Sequence, residues 1–181
     1  MNGRAHGAAF DLLLREAVVG VPSEYFSLPY LDKQRASTTA HQERVYCYEL
    51  YHQMRLVMAE SKHDAIAAAV EDGWRVNGEV AKGLSYISGR QIPDFIWHKP
   101  GSLENGHVLE VKSAAARWAP LHSDVKKLQE FKAQAGYAHA TLLTFGPIPT
   151  ESAALSSLRA LAVGAGVGIL FHRGVGDGLS Y

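Results

Sequence analysis

Two short stretches of the 181-residue chain place acidic and basic side chains at a spacing suited to chemistry: Pro93-Asp94 and Glu110-Val111-Lys112. Successive side chains of a strand alternate between faces, so Glu110 and Lys112 project from one face while Leu109 and Val111 occupy the other. If the segment beginning at Asp94 pairs with that strand, two carboxylates and one ammonium converge at the end of a hairpin. Hard divalent cations take carboxylate and carbonyl oxygens and keep several waters, which makes Asp94, Glu110 and the backbone carbonyl of Val111 a candidate set for Mg²⁺ or Mn²⁺. Water on such a cation is a source of hydroxide, and the cation offsets charge developing on a phosphoryl group during in-line displacement. Lys112 would orient or deprotonate the attacking water, or act as a point charge on the phosphate; the sequence leaves these roles open.

The surrounding pattern supplies elements to hold these groups. Phe10, Leu13, Leu14, Ala17 and Val18 recur at helical spacing and stop at Gly20 and Pro22, which predicts a short amphipathic helix. The aperiodic stretch that follows, with two prolines, reads as an ordered connecting loop, so residues 1–38 form a helix and connector packed on a domain of residues 39–181. From about Thr39 to Glu60, Cys47, Leu50, Tyr51, Met54, Val57 and Met58 form one apolar stripe and Val45 and Leu56 a narrower one, the mark of a sandwiched helix. A short alanine-rich helix spans about 62–71. Strands are predicted at about 74–81, 92–98 and 107–112, separated by the turn-forming SYISGRQ and KPGSLENG. Ser123 and Asp124 read as the N-cap of a helix to about Ala135. A strand (139–145), a helix (151–162) and a strand (167–172) follow. Three closely spaced strands suit an antiparallel meander, and the alternation after them suits parallel crossovers. The expected architecture is α/β: a mixed central β-sheet flanked by helices in one globular domain.

Composition narrows the classes of function. Eighteen basic side chains balance 18 acidic ones, which excludes a protein that coats nucleic acid or anionic membrane through its overall field. Any such partner must be met locally, and Lys99, Lys112, Arg117, Lys126, Lys127 and Lys132 all follow the second strand. Cys47 is the only cysteine, so neither an intrachain disulfide nor a cysteine-rich zinc site can form, and a reducing cytoplasm is expected. No apolar run is long enough to span a membrane. The nine histidines include no closely spaced ligand pair, and His98, His107, His122 and His139 read as surface or strand-end residues. The glycines of AVGAGVGIL lack a following Gly-Lys-Ser/Thr and read as a tight turn rather than a phosphate loop. Tyr46, Tyr48, Tyr51, His52, Gln53 and Arg55 are candidates to line a substrate groove. Glu79 reads as a hairpin-edge charge.

Pro93-Asp94 followed by Glu110-x-Lys112 at the tips of adjacent strands resembles the PD-(D/E)xK nuclease superfamily, and the resemblance covers about residues 39–172. It implies a restriction endonuclease-like α-β-β-β-α-β core and a metal-dependent nuclease hydrolysing phosphodiester bonds, in DNA more than RNA. It further implies Asp94 and Glu110 as metal ligands and Lys112 as assistant to the nucleophilic water. Many members add an acidic residue from the first core helix; Glu49 is the candidate and Glu43 the fallback. The motif also fits a catalytically inactive nuclease-fold module that binds nucleic acid or serves assembly, or, by chance, an unrelated α/β domain that binds a small molecule or protein. No recognition domain is appended, so specificity would come from loops, a homodimer or a partner protein.

Overall fold

The structure, a computed structural model, describes residues 5–31, 33, 37–60, 62–79, 92–114, 118–148 and 152–181. Its centre is a five-stranded mixed sheet in the order β3-β4-β5-β6-β7. β3 (Arg75–Gly78), β4 (Phe95–His98) and β5 (Asn105–Ser113) form the expected antiparallel meander. β6 (His139–Phe145) pairs parallel with β5, and β7 (Gly168–His172) pairs parallel with β6. Parallel neighbours need a crossover, supplied by α5 (Trp118–Ala135) and α6 (Ala153–Ala165).

Strand alternation decides which layer each side chain joins. Val76, Phe95, Trp97, Leu109, Val111 and Leu143 face a layer made of α1 (Ala5–Val19), α3 (Glu43–Glu60) and α4 (Asp64–Glu71). Ile96, Val108 and Leu142 face Leu121, Val125, Leu128 and Phe131 of α5 and Leu158 of α6. The result is a three-layer sandwich, with each fully buried Leu or Phe contributing about 1.5–3 kcal/mol. α1 is a full member of its layer: Phe10, Leu13, Leu14, Ala17 and Val18 are all buried in the same cluster as the sheet. Gly106 is required by close approach, since a Cβ there would meet the Trp74 ring at 2.7 Å, inside the stacked Trp74–Trp97 pair. Among the described residues, no helix is long and apolar enough to cross a membrane.

Two regions differ from expectation. The connector holds a short α2 (Ser23–Phe26) and a hairpin of β1 (Leu28–Leu31) and β2 (Ser37–Ala40), the latter taking the residues expected to begin α3. These strands are mostly exposed, so backbone pairing forms them and no apolar alternation announces them. α5 begins at Trp118, because Pro120 falls in the first turn, where its missing N–H is tolerated. Asp124 therefore lies inside the helix and is not its cap. α6 is capped by Ser152 Oγ accepting from Leu155 N at 3.1 Å, and Gly166 (φ 63) ends that helix as the expected tight turn. SYISGRQ and the end of the expected first strand lie outside the described residues.

Candidate functional site

At the carboxyl end of β5 the strand alternation places Glu110 and Lys112 on the α5 side of the sheet. Asp94, immediately before β4, reaches the same end because Phe95 lies opposite Leu109. Its Oδ2 accepts a hydrogen bond from Val111 N at 2.7 Å, which fixes its carboxylate at the backbone between Glu110 and Lys112. The expected convergence of Asp94, Glu110 and Lys112 is therefore present.

Two helices complete the cluster. Lys112 Nζ donates to Glu43 Oε1 at 2.8 Å, from the first turn of α3, and stands 3.7 Å from Asp124 Oδ2 in α5. Lys127, one helical turn beyond Asp124, brings its Nζ within 2.6 Å of Glu110 Oε1 and also donates to Ile92 O at 2.9 Å. Four carboxylates thus face two ammonium groups, and Glu110 is 1% exposed. Burial, reinforced by the charge of Asp94 and opposed by Lys127, pushes the Glu110 carboxyl up to about 8. Burial also raises Asp94 against the Val111 hydrogen bond and the Lys112 charge, and it raises Asp124. Burial pulls Lys112 down, but its hydrogen bond to Glu43 and the charges of Asp124, Glu43 and Asp94 prevail, so the ammonium holds its proton more firmly than an ordinary lysine.

Glu49, the expected α3 contribution, is corrected. Its carboxylate is buried and accepts from Gln53 Nε2 at 2.7 Å on its own helix. Six residues separate it from Glu43, about 120° around a helix of 3.6 residues per turn, so the two cannot share a face. Glu43 is the carboxylate that α3 delivers. Asp124 reads with Ser123 as a helix cap and Lys127 as one basic residue among several, so neither was assigned to the cluster; their three-residue spacing at the edge of the face bearing Leu121, Val125 and Leu128 was the available signal. The expected gathering of basic residues is also narrower than the sequence suggests. Lys99 pairs with Asp72 at 2.9 Å and Lys132 donates to Gly166 O at 2.8 Å, both at the far end of the sheet, and Arg117 lies outside the described residues.

Beside Asp94 opens a cleft of about 210 Å³ lined by Cys47, Tyr48, Tyr51, Asn77, Asp94 and Phe95. Glu79 borders it with a left-handed backbone (φ 47), its N–H donating to Asp94 O at 3.0 Å. Burial first, then the carboxylates of Asp94 and Glu43, push the Cys47 thiol far up, so it is no nucleophile. His107 is not a surface residue as expected: it is 3% exposed, and burial followed by the charges of His139 and Lys132 pushes it down to about 3.

Among the described residues, no group of three or more His, Cys, Asp and Glu forms a ready cage for a metal. Two carboxylates and a backbone carbonyl are nevertheless a sufficient protein contribution for a hard cation that keeps its waters and takes further oxygens from a phosphate. The excess of negative over positive side chains, and a Glu110 carboxyl held up by desolvation and a like charge, are the electrostatic setting that a divalent cation relieves. Neither a known protein family, a curated protein nor a solved structure matches the chain.

Proposed function

We propose that the chain is a metal-dependent nuclease with a restriction endonuclease-like core, hydrolysing phosphodiester bonds in DNA. The observation that carries this reading is the Asp94 Oδ2–Val111 N hydrogen bond, which holds a half-buried carboxylate, the buried carboxyl of Glu110 and a lysine at the junction of β4 and β5. Asp94, Glu110 and the Val111 carbonyl would hold Mg²⁺ or Mn²⁺. Bound there, the cation supplies Lewis acidity and lowers the pKa of its water. Lys112, kept protonated by Glu43 and Asp124, serves as an ammonium donor that positions the attacking water or a phosphate oxygen, and a general-base role does not suit it. Lys127 restrains Glu110 and offsets its charge. Cleavage of both strands of a duplex takes two such sites, which favours a homodimer or a partner protein that sets specificity.

Incubation of the protein with plasmid, single-stranded DNA and RNA in Mg²⁺ or Mn²⁺ tests the reading. Cleavage is expected, lost on chelation and reduced by a factor of at least about 10²–10³ in Asp94→Ala and in Lys112→Ala. Absence of cleavage, or its survival in either variant, overturns the reading; DNA binding without turnover assigns a non-catalytic binding module instead.

A further inference from the structure

We infer that the cleft beside Asp94 is a pocket for one unpaired nucleobase, so that the substrate is a single strand, or a frayed or flipped nucleotide, next to the bond being cut. The inference rests on the nuclease reading and adds the substrate class. Tyr48 and Tyr51 lie three residues apart on α3 and therefore side by side on its surface. Tyr48 is 61% exposed, an unusual position for a large ring, while Tyr51 is backed by Phe95 in a stacked pair at 6.2 Å. Arg55 lies over the Tyr51 ring at 5.9 Å, its Nη1 donating to the Tyr51 hydroxyl at 3.5 Å. A cation thus flanks an aromatic platform.

The cleft is smaller than the roughly 300–1,000 Å³ that accommodates drug-sized ligands, so it admits one ring system and not a base pair. Asp94 is common to the cleft and to the carboxylate cluster, so a phosphate at the cluster places its attached nucleoside at the cleft mouth. A paired base presents only its edge, and its faces are covered by its neighbours in the stack; a ring that stacks on tyrosine must be unstacked first. Stacking tolerates any base, so the pocket needs no hydrogen-bond readout of sequence.

The probe is a short single-stranded DNA carrying 2-aminopurine, bound in Ca²⁺ in place of Mg²⁺, with a blunt duplex of the same sequence as comparison. Stacking quenches 2-aminopurine fluorescence on binding. Tyr48→Ala is expected to abolish most of the quenching and to weaken the single strand roughly tenfold or more relative to the duplex, and Tyr48→Phe, which keeps the ring, to restore both. Circular dichroism and urea unfolding establish that the variants fold. Metal- and Asp94-dependent cleavage with equal quenching by Tyr48→Ala and the parent overturns the base pocket and leaves the nuclease reading standing. Quenching that depends on the Tyr48 ring, in a protein that cuts nothing, retains the pocket and overturns the nuclease reading. A preference for blunt duplex over single strand overturns the pocket as well.

Discussion

Both ends of β5 bury a titratable side chain three residues apart, and the fold treats them in opposite ways. At the amino end, His107 lies against Phe10 with ring centroids 4.4 Å apart, and its Nε2 shares a hydrogen bond of 2.8 Å with Thr141 Oγ1. It escapes the cost of burial by remaining neutral, having been pushed down to about 3. At the carboxyl end, Glu110 is just as buried but sits among three other carboxylates and two lysines, where neutralisation of one group leaves others charged. The amino end is held by packing and one neutral hydrogen bond, with His107 Nδ1 left buried without a partner among the described residues. The carboxyl end stores unresolved charge, and such charge in a site open to a cleft has a use for a ligand.

The largest effect should come from separating the Lys127–Glu110 pair. Lys127→Met removes the counter-ion of a buried carboxylate, and urea unfolding in EDTA should show a loss of about 1.4 kcal/mol at pH 9, bounded because Glu110, pushed up to about 8, can take up a proton instead. At pH 6 the loss should be much smaller, because Glu110, pushed up to about 8, is then protonated. An equal loss at both values breaks the contrast between the two ends.

Next are the opposite pH limbs. His107 is depressed in the fold, so its contribution is complete above about pH 6.5 and is lost as pH falls toward 3. Glu110 is raised, so below its unfolded value of 4.5 it has no effect, and it lowers stability progressively as pH rises to about 8. His107→Phe should flatten the acid limb of a urea-midpoint profile, and Glu110→Gln the alkaline limb. A variant that flattens the wrong limb reverses the assignment. The smallest effect is expected from Thr141→Val, which removes the hydrogen-bond partner of His107 and should cost about 0.5–1 kcal/mol in urea unfolding.

Much of this contrast was visible in the residues themselves, and the remainder was hidden for physical reasons. The strands bearing Asp94, Glu110 and Lys112, the following helix and the strand at 139–145 were legible because their apolar positions repeat at the period of the element. The β1–β2 hairpin was not, since exposed strands held by backbone pairing have no such period. Glu49 is the candidate and Glu43 the fallback in the sequence, but the angle around α3 decides which carboxylate meets Lys112. Asp124 looks like a helix cap and Lys127 like a solvated helix charge until α5 crosses over the end of β5. His107 looked superficial because a lone histidine at a strand end says nothing of the α1 helix that covers it.

The Lys112–Glu43 pair joins residues 69 apart in the chain, across a loop that contains α3, α4 and the whole meander. Contacts of such separation form late in folding, since the entropy of closing the loop is lost before the contact repays it. A chain with β4, β5 and α5 assembled but α3 undocked would already hold Asp94, Glu110 and Lys127 together, while lacking the carboxylate that anchors Lys112 and the tyrosines that wall the cleft. The cluster therefore registers the completion of tertiary structure: in native-state hydrogen exchange, α3 docking sets the opening energy at which the whole constellation exists or does not.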